Sequence, residues 1–358
     1  MALGRSAGGG SGRSRKRIAG LIIGLVLLVL TFLMPPPAGM PGLAWHVAGI
    51  GSLMAVWWVT EALPVAATAL VPIVAFPIAG VGDMQQAAVP YANPIIFLFL
   101  GGFMLALALE RWNLHRRIAL TILNRVGARP AALVAGFLVT TAALSMWVSN
   151  TATAMMMLPI GLSVIKLLHA DGVAALPAGE DRNIAIALLL SIAYGATIGG
   201  LGTLIGTPPN ALLAAYMAET HGTSIGFGQW MLLGVPLVVI MLPLAWLVLT
   251  RIAFPVGDAA IPGAQAVISR EFDALGPMRP PAKRVAFIFA ATAVLWMIRP
   301  AISDLFPGLS LSDPAIAIGA ALALFATPAN AGNGEFLLNW DWAKRLPWGV
   351  LILFGGGL

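Results

Sequence analysis

The 358-residue chain is 59% hydrophobic and 9% charged, with a mean hydropathy of +0.92. This composition excludes a soluble domain and predicts an all-α polytopic membrane protein. The formal charge of +6 comes from basic residues between apolar segments, so it indicates topology in a lipid bilayer and no nucleic-acid partner. The absence of cysteine and the scattering of the four histidines exclude disulfides and disfavour a transition-metal site.

A basic tail over residues 1–17 precedes the first apolar run. That run is predicted to be a retained helix within residues 18–42 rather than a signal peptide, because it exceeds a typical signal-peptide core. The predicted spans are Ile18–Met34, Leu43–Thr60, Ala62–Ala79, Tyr91–Leu109, Asn183–Met217, Trp230–Thr250, Val285–Ile298, Pro314–Thr327 and Leu346–Leu358.

The basic residues predict the orientation of these spans. With a cytoplasmic N-terminus, all but one of the 20 Lys and Arg residues lie in the cytoplasm, and only Arg299 faces out. A tail over residues 1–17 and a linker over residues 252–284 are then both cytoplasmic.

An uncharged run over residues 131–165 is bounded by Arg129 and Lys166, so both of its ends lie on the same side of the membrane. Two full crossings with a turn need about 40 residues or more. The run therefore predicts a re-entrant hairpin over about residues 131–168, with Ser149-Asn150-Thr151 at its tip.

A second uncharged run, residues 183–217, must cross once to keep the charges in register. A single helix of that length would span roughly 50 Å. Gly206, Pro208 and Pro209 offer a break, since glycine permits unusual dihedral angles and proline removes a donor. The run predicts a broken transmembrane helix.

A weak internal repeat relates two parts of the chain. Trp57–Pro64 is echoed by Leu295–Pro300, and Leu98–Phe103 by Ile352–Gly357. An odd number of crossings separates the copies, which predicts an inverted-repeat transporter. The first repeat is residues 43–251 and an incomplete second repeat is residues 285–358. A fragment of a longer protein is expected, which alone should not transport although its parent does.

Hydroxyl, amide and unwound carbonyl groups in the two breaks are neutral oxygen ligands that suit Na⁺, while helix N-termini attract an anion. The plainer interpretation is that Ser, Thr and Asn hold helices together and that Gly and Pro introduce kinks. Two broken segments in one chain favour a transport site over that interpretation.

Three motifs carry a resemblance to a known family: Trp57–Pro64, Ser145–Ala152 and Ile205–Asn210. With them the chain resembles the divalent anion:sodium symporters, the dicarboxylate, citrate and sulfate carriers. These carriers are homodimers in which the hairpins and broken helices move like an elevator against a scaffold.

The resemblance also implies site residues. The first sodium site would use Ser145, Ser149, Asn150 and Gly206, with no other metal and no organic cofactor. Substrate carboxylates would meet Ser149, Asn150, Thr151 and Thr207.

The function expected is sodium-coupled import of dicarboxylates or tricarboxylates, of the succinate, malate and fumarate type, across a bacterial inner membrane. A sodium-independent exchanger or a sulfate carrier of the same family stays open as an alternative. A non-transporting scaffold or an intramembrane enzyme is more remote, because clustered catalytic side chains are missing from the spans.

Overall fold

The computed structural model describes residues 9–168, 179–330, 332 and 334–358, with side chains from residue 14 onward. Within these residues the chain is mostly helical, and seven helices are long and apolar enough to cross a membrane. They are Ser14–Leu33, Gly42–Thr60, Met84–Arg111, Asn150–Leu167, Glu180–Gly200, Phe227–Ala253 and Pro280–Leu305. The prediction of an all-α polytopic membrane protein is confirmed at this level.

The elements follow one another with short connections. A 3₁₀ turn at Val89–Ala92 precedes α6, and a π-helical turn at Val248–Ala253 continues α12. The elements are α1 (Gly9–Leu33), α2 (Gly42–Thr60), α3 (Val65–Thr68), α4 (Val71–Ile78), α5 (Met84–Ala88), α6 (Pro94–Arg111), α7 (Leu114–Leu123), α8 (Pro130–Ser145), α9 (Asn150–Leu167), α10 (Glu180–Gly200), α11 (Pro208–His221), α12 (Phe227–Leu247), α13 (Ala264–Asp273), α14 (Pro280–Leu305), α15 (Asp313–Ala326), β1 (Pro328–Asn330), β2 (Glu335–Phe336), α16 (Trp340–Ala343) and α17 (Trp348–Gly357).

The chain forms two compact units. One takes in the chain up to Ile96 together with Pro347–Leu358, and the other is Phe97–Leu346. In the first unit α1 and α2 pack closely, because a methyl group at Gly24 or Gly49 would overlap the side chain of Trp57 or Thr31. Such small-residue contacts let helices approach where lipid supplies no hydrophobic driving force.

The second unit has a core where α7, α8, α9, α10 and α13 meet. Fully buried side chains here include Leu120, Phe137, Met157, Leu188 and Ile268. The contact between α8 and α10 is the most extensive between any two helices of the described residues.

The α8–α10 contact is made by glycines on α10. A methyl group at Gly195 would lie 2.6 Å from the Leu138 carbonyl oxygen, and one at Gly199 would lie 2.2 Å from that of Ala142. Because the partners advance by four residues on both helices, α8 and α10 run parallel. Their C-terminal ends therefore reach the same level of the unit.

Several predicted span boundaries are wrong. Ala62–Ala79 is two short helices, since Pro64 precedes α3 and Pro72 deprives the second position of α4 of its N–H. The span predicted as Val285–Ile298 is the longer α14, which continues past Arg299; this residue pairs with Asp313 at 2.7 Å.

Three other segments predicted as connections also take a defined shape. The first helix begins at Gly9, inside the predicted tail. The linker over residues 252–284 contains α13, and the polar stretch after α15 forms the β1–β2 hairpin and α16.

Candidate functional site

Four helix ends border the two loops that interrupt the long uncharged runs. α8 ends at Ser145 and α9 begins at Asn150, so residues 146–149 form the tip of a helical hairpin. α10 ends at Gly200 and α11 begins at Pro208, so residues 201–207 separate two half-helices.

The local sequence explains why the chain breaks at these points. Ser149 is the N-cap of α9, and its hydroxyl accepts a hydrogen bond from the Ala152 N–H at 3.3 Å. Thr207 is the N-cap of α11, where Pro208 and Pro209 occupy the first two positions and lack the N–H groups that continuing α10 would need.

Ser145 joins the two interrupted segments. Its hydroxyl oxygen is fully buried and lies 2.6 Å from Asn150 Oδ1 and 2.7 Å from the Ala196 carbonyl oxygen. A hydroxyl has one proton, so it can donate to only one of these two acceptors at a time. The result is a buried group of three oxygen atoms that contains more lone pairs than protons.

The Asn150 side chain lies directly against the break in the second segment. A methyl group at Gly200 would lie 2.8 Å from Asn150 Oδ1 and 3.3 Å from Thr207 Cβ. One at Gly206 would lie 2.5 Å from the Gly200 carbonyl oxygen. Asn150, Thr207 and Gly206 therefore gather around Gly200, where only a residue without a side chain fits.

Hydrogen bonds across the break hold both loops in place. Asn210 is buried, and its amide nitrogen donates to the carbonyl oxygens of Gly200 and Thr203, each at 2.8 Å. The Thr203 hydroxyl donates to the Met146 carbonyl oxygen in the hairpin tip. These bonds satisfy buried backbone groups that the ends of α8 and α10 would otherwise leave without partners.

Aromatic side chains brace the same two loops. Trp147 in the tip packs edge-on against Phe289 with ring centroids 4.9 Å apart, and it also stacks on Phe227. Trp230 on α12 donates from its indole nitrogen to the Leu201 carbonyl oxygen at 2.9 Å. The loops are thus ordered without regular secondary structure.

The electrostatics of the site come from dipoles, since residues 131–165 and 183–217 contain no charged side chain. The C-terminal ends of α8 and α10 present partial negative charge, which favours a cation. The N-terminal ends of α9 and α11 present partial positive charge, which favours an anion. A cation and an anion can therefore be held side by side.

The structure brings together five of the six site residues predicted from the sequence. Ser145, Asn150, Gly206 and Thr207 meet around Gly200, and Ser149 caps the helix that Asn150 begins. Thr151 is exposed on the first turn of α9 and makes no described hydrogen bond at the cluster.

Sequence reasoning missed the Ala196 carbonyl and the roles of Gly200, Thr203 and Asn210. The Gly199-Gly200 pair is typical of closely packed helices. Asn210 is a polar residue within an apolar run. A backbone carbonyl such as that of Ala196 leaves no sequence signal.

Comparison with known proteins matches residues 15–358 to the family described as the sodium:sulfate symporter transmembrane region. Similar curated proteins include the sodium-dependent dicarboxylate transporter SdcS of Staphylococcus aureus strains MSSA476, MW2 and USA300. Each is 44% identical over 347 residues, which are 96% of this chain and 67% of the relative. Both the family and these relatives are transporters and not enzymes. The resemblance read from the motifs is confirmed, and the chain belongs to the divalent anion:sodium symporter family.

Proposed function

We propose that the chain belongs to a transporter that imports dicarboxylates or tricarboxylates by coupling them to sodium, and that the hairpin tip and the helix break form its first ion and substrate site. The name of the SdcS relatives supports sodium as the coupling ion and a dicarboxylate as the substrate. Sodium-independent exchange and sulfate transport are the alternatives within the family.

The observation that carries the proposal is the buried group formed by Ser145 Oγ, Asn150 Oδ1 and the Ala196 carbonyl oxygen. The Ser145 hydroxyl can donate its one proton to only one of the other two oxygens, whereas a cation can bind all three at once. Unwound carbonyls and half-helix C-terminal ends are the groups that coordinate Na⁺ in transporters of this architecture. Ser149 and the backbone at Gly206 would complete the ion's ligands.

The substrate would bind on the other side of the same break. The N-terminal ends of α9 and α11 offer partial positive charge, and Ser149, Asn150, Thr151 and Thr207 offer hydroxyl and amide donors to a carboxylate. Because no lysine or arginine lies in these runs, the neighbouring Na⁺ offsets part of the substrate charge. Substrate affinity would then rise with sodium concentration.

The proposed arrangement in the bilayer follows the distribution of charged residues. The N-terminus is cytoplasmic, the α8–α9 hairpin is re-entrant, and residues 43–251 and 285–358 belong to inverted repeats. Transport is an elevator-like movement of hairpin and broken helix against a scaffold, in a homodimer in the bacterial plasma membrane.

Uptake of radiolabelled succinate into proteoliposomes tests this function, with this chain compared with a version extended through the second repeat. We expect the extended version to take up succinate with an inward sodium gradient, and little uptake when choline replaces sodium. Equal uptake without sodium that requires internal dicarboxylate would contradict coupling and indicate an exchanger. Uptake of sulfate in preference to succinate would contradict the proposed substrate class.

A further inference from the structure

A second polar region lies in the same unit, at the ends of two apolar helices and away from the hairpin tip. A cavity of about 400 Å³ opens between the end of α6, the first turn of α7 and residues 274–282. Its size is within the range of small-molecule sites in proteins. Four arginines line it, Arg111, Arg116, Arg117 and Arg279, and no carboxylate does.

Two of the four arginines form ion pairs with acidic residues that do not line the cavity. Arg111 pairs with Glu335 at 2.5 Å and also donates to carbonyl oxygens of the β2 region. Arg116 pairs with Glu271 on α13, also at 2.5 Å. Both guanidinium groups are thereby fixed in position at the edge of the cavity.

Among the described residues, the other two arginines have no acidic partner. Arg117 donates to the carbonyl oxygens of Leu275 and Gly276, which order the side chain but carry no net charge. Arg279 is exposed, and the described contacts give it no acidic partner. The cavity therefore keeps a net positive charge in addition to its two ion pairs.

Groups without net charge in the lining also favour an anion. Arg279 is the N-cap of the 26-residue helix α14, whose positive dipole end faces the cavity. Pro280 and Pro281 have no N–H, so Ala282 is the first residue of the helix that can offer one, and it lines the cavity. Asn113, the N-cap of α7, also lines the cavity, and its side-chain amide can donate a hydrogen bond there.

The position of the cavity indicates where its ligand comes from. Arg111 ends the candidate span Met84–Arg111, and Pro280 begins the candidate span Pro280–Leu305. Groups at the ends of two membrane-crossing helices lie at the depth of the lipid headgroups. On the proposed orientation this is the cytoplasmic surface, where anionic lipids concentrate.

We propose that the cavity lined by Arg117, Arg279, Asn113 and Ala282 binds a phosphate group, supplied by the headgroup of an anionic phospholipid. A phosphate offers several oxygens in a tetrahedral arrangement, which matches donors that converge from the N-terminal ends of α7 and α14. A carboxylate has two oxygens and can engage fewer of them.

Native mass spectrometry of the purified protein tests the site, with phosphatidylglycerol as the probe and phosphatidylcholine as the zwitterionic comparison. The main variant is Arg279→Gln, whose side chain has no described partner to lose. The second is Arg117→Gln, which keeps an amide donor for the carbonyl oxygens of residues 275 and 276. The matched control is Arg125→Gln, an exposed arginine just beyond α7 that does not line the cavity.

We expect wild-type protein to retain phosphatidylglycerol in preference to phosphatidylcholine. Retention should fall about fivefold in each cavity variant, because a partly screened charge-assisted hydrogen bond is lost, and should not change in Arg125→Gln. Equal retention in all four proteins, or no preference for the anionic lipid, would overturn the proposal. Displacement of the lipid by inorganic phosphate would overturn the assignment to a lipid, since the phosphate would then come from solution.

Discussion

The hairpin tip and the arginine-lined cavity are both proposed to bind anions, but they offer opposite chemistry for it. Around Gly200 the polar groups are hydroxyls, amides, carbonyls and helix ends, within runs that contain no charged residue. In the cavity beside α7 the polar groups include four guanidinium groups. Each region uses the groups that its surroundings tolerate.

The difference follows from the cost of burying charge. An unpaired ion inside a membrane protein loses most of its hydration, whereas a neutral oxygen costs less and is satisfied by one hydrogen bond. At a helix end near water the same ion stays solvated. The desolvation cost of an arginine is therefore small there, and its charge attracts an anion over a longer distance than a dipole does. A transport site must also release its ligand. Where fixed dipoles and a mobile cation bind the anion together, the affinity for the anion falls when the cation leaves.

The largest expected effect tests whether backbone contact between α8 and α10 builds the tip site. Gly199→Ala would place a methyl group 2.2 Å from the Ala142 carbonyl oxygen, where backbone on both helices must shift. We expect a loss of about 3 kcal/mol in the free energy of unfolding. Thermal unfolding in detergent measures it.

The control for this substitution is Gly319→Ala on α15, where an added methyl group meets nothing within 4 Å. It should leave stability unchanged or raise it slightly, since alanine favours helix more than glycine does. Equal effects of the two substitutions would mean that the close approach of α8 and α10 is unimportant.

The next effect tests whether neutral hydrogen bonds alone hold the break. Asn210→Ala removes both donors to the carbonyl oxygens of Gly200 and Thr203, leaving buried acceptors unsatisfied. We expect a loss of about 2 kcal/mol, again in thermal unfolding. Asn183→Ala, which removes one exposed bond to Pro255, should lose clearly less; the reverse order would contradict this role for Asn210.

A third prediction separates ion binding from stability. Ser145→Ala removes one oxygen from the proposed sodium ligands and should weaken sodium affinity about tenfold, the loss of one charge-assisted contact. Sodium-dependent thermal stabilisation measures the affinity. Ser191→Ala removes another fully buried hydroxyl, bonded to the Leu188 carbonyl oxygen, and should not change sodium affinity. A parallel change in both variants would assign Ser145 a packing role only.

The smallest effect concerns pH at the arginine-rich end. Burial lowers the pKa of His115 below its usual value near 6.5; its bond to the Leu109 carbonyl oxygen and the charge of Glu110 act in the opposite direction, while Arg116 adds to the lowering. The unfolded chain therefore takes up the proton first as the solution becomes acidic. Stability should be full above pH 6.5 and fall below it.

Unfolding measured across this pH range tests the effect of His115. His115→Gln should flatten the acid decline, because its amide can keep a bond to the same carbonyl and does not titrate. His221→Gln, at the end of α11, is the comparison. An unchanged slope in the first variant would show that other groups cause the decline.

Much of the tip site could be predicted because its signals are local in sequence. Pro208 and Pro209 mark a helix start, and Ser149-Asn150 in an apolar run marks a cap and a polar tip. The breaks were accordingly predicted within a few residues of where they occur.

What could not be predicted depends on contacts between distant residues. Arg299, which lies on α14 beyond the predicted span, pairs with Asp313, and no local sequence signal joins the two residues. The arginine-lined cavity exists because residues 274–282 pack beside α7, more than 150 positions earlier in the chain. Its charges had been read only as markers of membrane topology.

The most direct test of the tip site is binding of radiolabelled succinate to purified protein, in sodium and in potassium, for wild type and Asn150→Ala. We expect binding in sodium that falls at least tenfold in potassium and in the variant, while Asn183→Ala binds like wild type. Succinate binding that is equal in both salts, or that survives in Asn150→Ala, would contradict the claim that the hairpin tip and the helix break form one sodium-dependent anion site.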